Sequence, residues 1–189
     1  MCLLTMEIRG ELMHDAVSSG HSTHCRRKGN SDVICMQYSA MTDVIGIDHI
    51  YITVRELARS EAFYDQLFLT ILGFRKNQFT LCNTPHIQYY NRHMGYVLRP
   101  TQMQSIHNPD SPGLHHLCFR VDTVAEVAEV ATQLRNAGIA ASAAAHYPDY
   151  AADYWATYFK DPDGIQLEVT NYRMERRDRH DNWYANIGE

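Results

Sequence analysis

The stretch HHLCFRV (residues 115–121) decides the fold, because the chain contains it in a second version. DHIYITV (residues 48–54) lies over it, with His49 above His116. Both alternate apolar and polar residues and are rich in β-branched and aromatic side chains, the pattern of a strand with one buried face. Neighbouring side chains in a strand point to opposite faces. His115 and His116 are therefore expected on opposite sides, and the repeat selects His116 as the partner of His49.

Working outward from each copy gives the same order of elements. After DHIYITV comes ELARSEAFYDQLFLTILG, whose Leu57, Tyr64, Leu67, Phe68 and Ile71 share one helical face, with Gly73 at the expected C-terminal cap. FRKNQF, HIQYY and GYVLRPT follow as three short strands. After HHLCFRV comes DTVAEVAEVATQLRNAG, an amphipathic helix with Asp122 or Thr123 as N-cap, and then IAASAAA, WATYFKD and GIQLEVT. The second halves also align without a gap, IQYYNRHMGYVLRPT over ATYFKDPDGIQLEVT. An internal repeat of this kind sets the architecture before any other consideration. The expected fold is α+β, two βαβββ modules (45–101 and 113–172) with the helices covering the apolar faces of their sheets.

Parity then sorts the faces. Ile50, Ile52 and Val54 share the apolar face of the first strand, and Leu117, Phe119 and Val121 that of its counterpart. The opposite faces carry His49, Tyr51, Thr53, His116, Cys118 and Arg120, and in the last strand Gln166, Glu168 and Thr170. Burial of the apolar faces under the helices drives the layers together. The polar faces are expected to form a concave surface on which His49, His116 and Glu168 converge, with His115 on the apolar side. The segment HYPDYAADYWATYF (residues 146–159) adds tyrosines next to the strand that leads to Glu168. Tyr150 and Tyr154 are expected to face a small-molecule cleft, and Trp155 or Phe159 the core.

Bulk properties narrow the classes. A net charge of −5 without a basic stripe gives no nucleic-acid footprint. No run approaches the roughly 18 apolar residues that would span a membrane. Five cysteines without CxxC spacing do not make a disulfide framework, so a reducing, cytoplasmic setting is expected. Residues 1–40, polar and rich in Gly and Ser around SSGHSTHCRRKGNSD, are expected to be a disordered tail or a start-site artefact ahead of Met41. Residues 173–189, with RMERRDRH, are expected to be a solvated C-terminal tail.

Two βαβββ modules, a histidine opening the first strand of each, and FKDPDGIQLEV closing the second resemble the vicinal oxygen chelate superfamily over roughly residues 45–172. That superfamily includes glyoxalase I, fosfomycin-resistance transferases, extradiol dioxygenases and metal-free bleomycin-resistance proteins. The resemblance implies that the modules form a half-open mixed-sheet barrel, helices outside, around a metal site, with one divalent ion (Fe, Mn, Ni or Zn) held by His49, His116 and Glu168 and open positions for a small oxygen-bearing substrate. It also implies glyoxalase-like lyase or isomerase chemistry slightly ahead of ring-cleaving dioxygenase chemistry, and a homodimer is expected whose modules either pair within one chain or exchange between two, since swapping like elements is an easy route to dimers. Metal-free binding of a drug or metabolite is the remaining alternative. The gapless alignment places Arg99 where glyoxalase I has a fourth ligand, a glutamate, so Arg99 is read as an anchor for an anionic substrate group. Tyr158 takes the place of the extradiol tyrosine, and Tyr51 that of a threonine in the fosfomycin-resistance pattern. Tyr158 and Arg99 are the expected substrate-polarising pair, and Tyr51, Tyr150, Tyr154 and Arg120 the expected lining.

Overall fold

The computed structural model describes residues 23–28, 32–37, 42 and 44–183. It divides into two units, residues 1–46 and 47–189. In the first, β1 (Thr23–Lys28) and β2 (Asp32–Gln37) pair antiparallel, with Cys25 opposite Cys35. These two segments depart from the irregular tail expected there. Backbone pairing between the two segments supplies a regularity that side-chain periodicity does not announce. The rest of that expectation lies outside the described residues.

The second unit contains both modules. The first runs β3 (His49–Val54), α1 (Leu57–Tyr64), a π-helical segment (Asp65–Ile71), β4 (Arg75–Leu81), β5 (Thr84–Tyr90) and β6 (Gly95–Pro100). The second runs β7 (His116–Val121), α2 (Val124–Asn136), β8 (Ala145–His146), β9 (Trp155–Lys160) and β10 (Gln166–Asn171), and α3 (Met174–Asp181) follows. Each module forms an open four-stranded mixed sheet, in the order β3-β6-β5-β4 and β7-β10-β9-β8. In each the first and last strands pair in parallel, across the helix.

Local chemistry fixes the helices. The Thr123 hydroxyl accepts from the Glu126 N–H while the Glu126 carboxylate accepts from the Thr123 N–H, a capping box that starts α2. Gly73 and Gly138 end the two helical stretches with φ of 68° and 76°, where a Cβ would be strained. The long first helix does not stay α-helical. Leu72 N–H donates to Leu67 O at 2.9 Å, and the wider turn buries both Leu67 and Phe68 completely. The C-terminal segment is not a featureless tail either. In α3 no residue is buried, yet Arg177 donates to the carbonyl and carboxylate of Asp122.

The two modules share one core. Phe68 packs against Tyr64, Phe74, Tyr89 and Tyr96 of its own module and meets Phe119 of the other edge to face, 5.5 Å between centroids. Val130 and Leu134 of α2 complete the cluster. Polar ties cross the same boundary. Tyr64 Oη donates to Asp161, and the buried Asp163 carboxylate accepts from Arg55 Nε at 2.9 Å and Arg59 Nη2 at 2.6 Å. Helices therefore cover the apolar face of each sheet, and within one chain they pack between the modules. The polar faces are turned away from that shared layer. Among the described residues no helix is long and apolar enough to cross a membrane.

Candidate functional site

His49 opens β3 beside Gly95, its partner in the parallel pair with β6. A Cβ at Gly95 would lie 3.3 Å from His49 Cβ, so glycine makes room for the imidazole. His49 Nδ1 donates to Asp48 Oδ2 at 2.6 Å. A carboxylate only accepts, so the proton sits on Nδ1 and Nε2 carries the lone pair when the ring is neutral. The surrounding cleft is about 380 Å³, lined by Asn77, Gln88, Tyr90, Arg92 and His93 among others.

His116 opens β7 in the same way, with its Nδ1 2.7 Å from His115 Nδ1, one ring donating to the other. His116 Nε2 lies 3.5 Å from Glu168 Oε2. Glu168 is only 2% exposed, and its Oε1 accepts from Tyr154 Oη at 2.6 Å. Burial first, then the hydrogen bond to Glu168, raises the Tyr154 phenol above its ordinary range. Burial first, then the charge of Glu168, does the same for Tyr158. Both remain neutral donors at physiological pH. The Cys118 thiol beside them is pushed up to about 12, mainly by burial and then by Glu168, and so stays protonated and unreactive. The cavity is about 530 Å³, lined by His115, His116, Gln166, Glu168 and the four tyrosines 147, 150, 154 and 158.

One chain thus brings His116 and Glu168 together with Tyr150, Tyr154 and Tyr158. His49 stands in a separate cleft. Among the described residues no three His, Cys, Asp or Glu side chains of one chain gather to hold a metal ion. Within one chain His49 does not meet His116 and Glu168, because the modules join through their apolar faces, and the sequence left open whether the three converge in one chain or across two. Tyr51 stands between His49 and His86, 5.4 and 5.8 Å from their ring centroids, outside both clefts. Arg120 lies 4.1 Å over the Tyr172 ring and lines neither cleft.

Two sequence inferences change. His115 is exposed and lines the cavity with His116, because β7 begins only at His116 and alternation does not reach back to His115. The gapless alignment of the module ends also fails in three dimensions. Glu168 pairs with Cys118, two residues after His116, whereas Tyr51, two residues after His49, pairs with Val97. The structural counterpart of Glu168 is thus Val97, and Arg99 matches Thr170. Position 97 offers no ligand atom. Sequence reasoning missed Asp48, His86, His115 and Tyr147. Only Asp48 and His115 carried a signal, as the residues immediately before the repeated histidines.

The His115 contact yields a prediction. For His116 to offer Nε2 to a metal, its Nδ1 must donate to His115. His115→Ala is expected to weaken metal binding by about 10- to 100-fold, the usual effect of losing such a support. Metal titration followed by calorimetry checks it, and unchanged affinity would show that the contact is incidental.

The profile of the Glyoxalase/Bleomycin resistance protein/Dioxygenase superfamily matches residues 46–169, which takes in both modules. A search of the curated proteins finds no match. Among solved structures, a glyoxylase/bleomycin resistance protein/dioxygenase domain from Frankia sp. EAN1pec is 25% identical with a TM-score of 0.58, covering 69% of this chain and 100% of its own. A putative glyoxalase from Bacillus halodurans is 23% identical with a TM-score of 0.53, over 67% of this chain and 95% of its own. The fold is also that of the fosfomycin resistance protein FosX from Listeria monocytogenes, whose E126Q mutant was solved with Mn(II) and 1S,2S-dihydroxypropylphosphonic acid. That mutant is 16% identical with a TM-score of 0.55, over 71% of this chain and 98% of its own. The chain belongs to the Glyoxalase/Bleomycin resistance protein/Dioxygenase superfamily.

Proposed function

We propose that the protein is a divalent-metal-dependent enzyme acting on a small oxygen-bearing substrate, with lyase or isomerase chemistry favoured over dioxygen chemistry. His49, His116 and Glu168 are its ligands, and the site is completed when two copies pair, His49 of one chain meeting His116 and Glu168 of the other. The observation that carries this reading is the matched preparation of the two histidines. Each occupies the first position of its module's opening strand, and each is held through Nδ1 by the residue before it. That arrangement leaves Nε2 for a ligand, as in carboxylate–histidine–metal supports. Imidazole nitrogen and carboxylate oxygen suit the Fe, Mn, Ni and Zn group of ions.

Held by His49, His116 and Glu168, such an ion would supply Lewis-acid stabilisation of negative charge developing on substrate oxygen. The chain's own groups do the rest. Tyr158, held neutral, donates to a substrate oxygen and is excluded as a base near neutral pH. Tyr154 keeps Glu168 oriented through its short hydrogen bond. Tyr147 and Tyr150, stacked 5.9 Å apart, wall the cavity against water. A cytoplasmic homodimer is part of the same proposal.

A second reading has its own support. The tyrosine-lined cavity is complete within one chain and includes no contribution from His49, which suits a metal-free binding protein. Elemental analysis after reconstitution separates the two. The enzyme reading expects about one equivalent of ion per chain and its near-complete loss in His116→Ala. No metal in the parent protein would establish the binding reading.

A further inference from the structure

Across the polar face of the first module, register places Thr53 of β3 opposite Arg99 of β6 and His86 of β5 opposite Phe79 of β4, and the β5–β6 ladder ends one residue short of His86 and Arg99, at Ile87 and Leu98. Arg99 differs from the other arginines of this unit that the structure ties down. Arg55 and Arg59 pair with Asp163, Arg177 pairs with Asp122, and Arg173 pairs with Glu175. Among the described residues Arg99 has neither a hydrogen bond nor an ion pair, and its Nε is buried without a partner. A guanidinium cannot shed its charge, and a desolvated N–H of a cation is costly unless an acceptor meets it.

No acceptor with a charge is built into this face. Its residues are His49, Tyr51 and Thr53, Gly95, Val97 and Arg99, Thr84, His86, Gln88 and Tyr90, and Arg75, Asn77, Phe79 and Leu81, without an aspartate or glutamate. Of the neighbours only Thr53 offers a free donor, since the Nδ1 proton of His86 is already given to Thr84 O and its Nε2 then carries a lone pair when the ring is neutral. His86, 3% exposed and stacked on Phe79, donates from Nδ1 to Thr84 O at 2.9 Å. Thr53 contributes a hydroxyl.

We infer that Arg99, with the Thr53 hydroxyl opposite it, forms an anion subsite that takes a carboxylate or phosphate-type group, so that the substrate of the proposed enzyme is an elongated anion. The inference rests on the proposed function only in calling the ligand a substrate. The Arg99 row lies two pleats beyond the His49 row, about 13 Å along the strand. The anionic end is thereby kept apart from the oxygens that an ion at His49 would grip. A compact diol or hydroxy acid of three carbons does not span that distance.

The test uses full-length protein stripped of metal with a chelator and titrated calorimetrically with inorganic phosphate at pH 7. The wild type is expected to bind one phosphate, more weakly as salt is raised. Arg99→Gln is expected to weaken binding by about tenfold or more, and Arg99→Lys by less, because an ammonium keeps the charge but loses the fork. Both variants must match the wild type in melting temperature and sedimentation. Phosphate binding that Arg99→Gln leaves unchanged, or no binding by the wild type, would overturn the subsite. So would Arg99→Gln shifting the monomer–dimer balance without affecting phosphate, since Arg99 would then meet a carboxylate of a second copy. Because the protein is metal-free, the subsite and the metal reading fail separately. Phosphate binding lost in Arg99→Gln by a protein that never takes up metal keeps the subsite and removes the enzyme.

Discussion

A heterodimer of His49→Ala and Glu168→Gln chains, isolated through two different tags, is expected to hold about half the metal of the wild-type dimer, while each variant alone holds almost none. The arithmetic follows from sharing. In the mixed dimer, one site takes its histidine from the first variant and its carboxylate from the second, so it lacks both. The other site takes Glu168 from the His49→Ala chain and His49 from the Glu168→Gln chain, and is intact. A site built within a single chain predicts no recovery at all. Neither substitution threatens the fold. The His49 side chain is about half exposed, at 52%. Gln at 168 keeps the shape of the side chain and an oxygen to accept from Tyr154. Elemental analysis of the doubly tagged species reads the result. An empty heterodimer, or no doubly tagged species, would end the shared-site proposal.

Whether the site is shared could not be read from the sequence, although most of its proposed components could. Period-two alternation puts His49 and Tyr51 on the face opposite Ile52 and Val54, and the burial of these residues agrees. Parity likewise puts Glu168 with His116, and their side chains meet. Parity does not fix register. The turn between β5 and β6 leaves four residues between the paired Tyr90 and Gly95, whereas five separate Lys160 from Gln166 between β9 and β10. Gly164 sits in its turn at a φ of 91°, while Gly95 is already inside β6. Matching those glycines moved Arg99 two places from its true counterpart, without changing its face. Nor does alternation say which faces of two modules will meet. That choice belongs to Phe68, Tyr96 and Phe119, whose aromatic contacts join the apolar sides within a chain and leave the polar sides for another partner.

The same aromatic junction sets the largest expected effect on stability. Phe68→Ala is expected to cost about 3–5 kcal/mol, a large part of the roughly 5–15 kcal/mol that a domain of ordinary stability has to lose. Phe68 is fully buried, stacked on Tyr64 and ringed by Phe74, Tyr89, Tyr96 and Phe119, so its removal opens a cavity whose aromatic walls collapse poorly. Tyr51→Ala serves as the control. Its side chain is on the polar face and 43% exposed, so a loss within about 0.5 kcal/mol is expected. The informative comparison is between probes. Trp155 lies in β9 of the second module, stacked on His146, and reports on the module that does not contain Phe68. If the modules share one core, then in a Trp183→Phe background, which leaves Trp155 as the one tryptophan, Phe68→Ala lowers the denaturant midpoint of fluorescence and of far-ultraviolet circular dichroism by the same amount, in a single transition. A fluorescence midpoint that stays at the wild-type value while the dichroism midpoint falls would show two independently folding modules. The apolar junction would then be too weak to hold the polar faces outward, and the reason for placing the site between two copies would go with it.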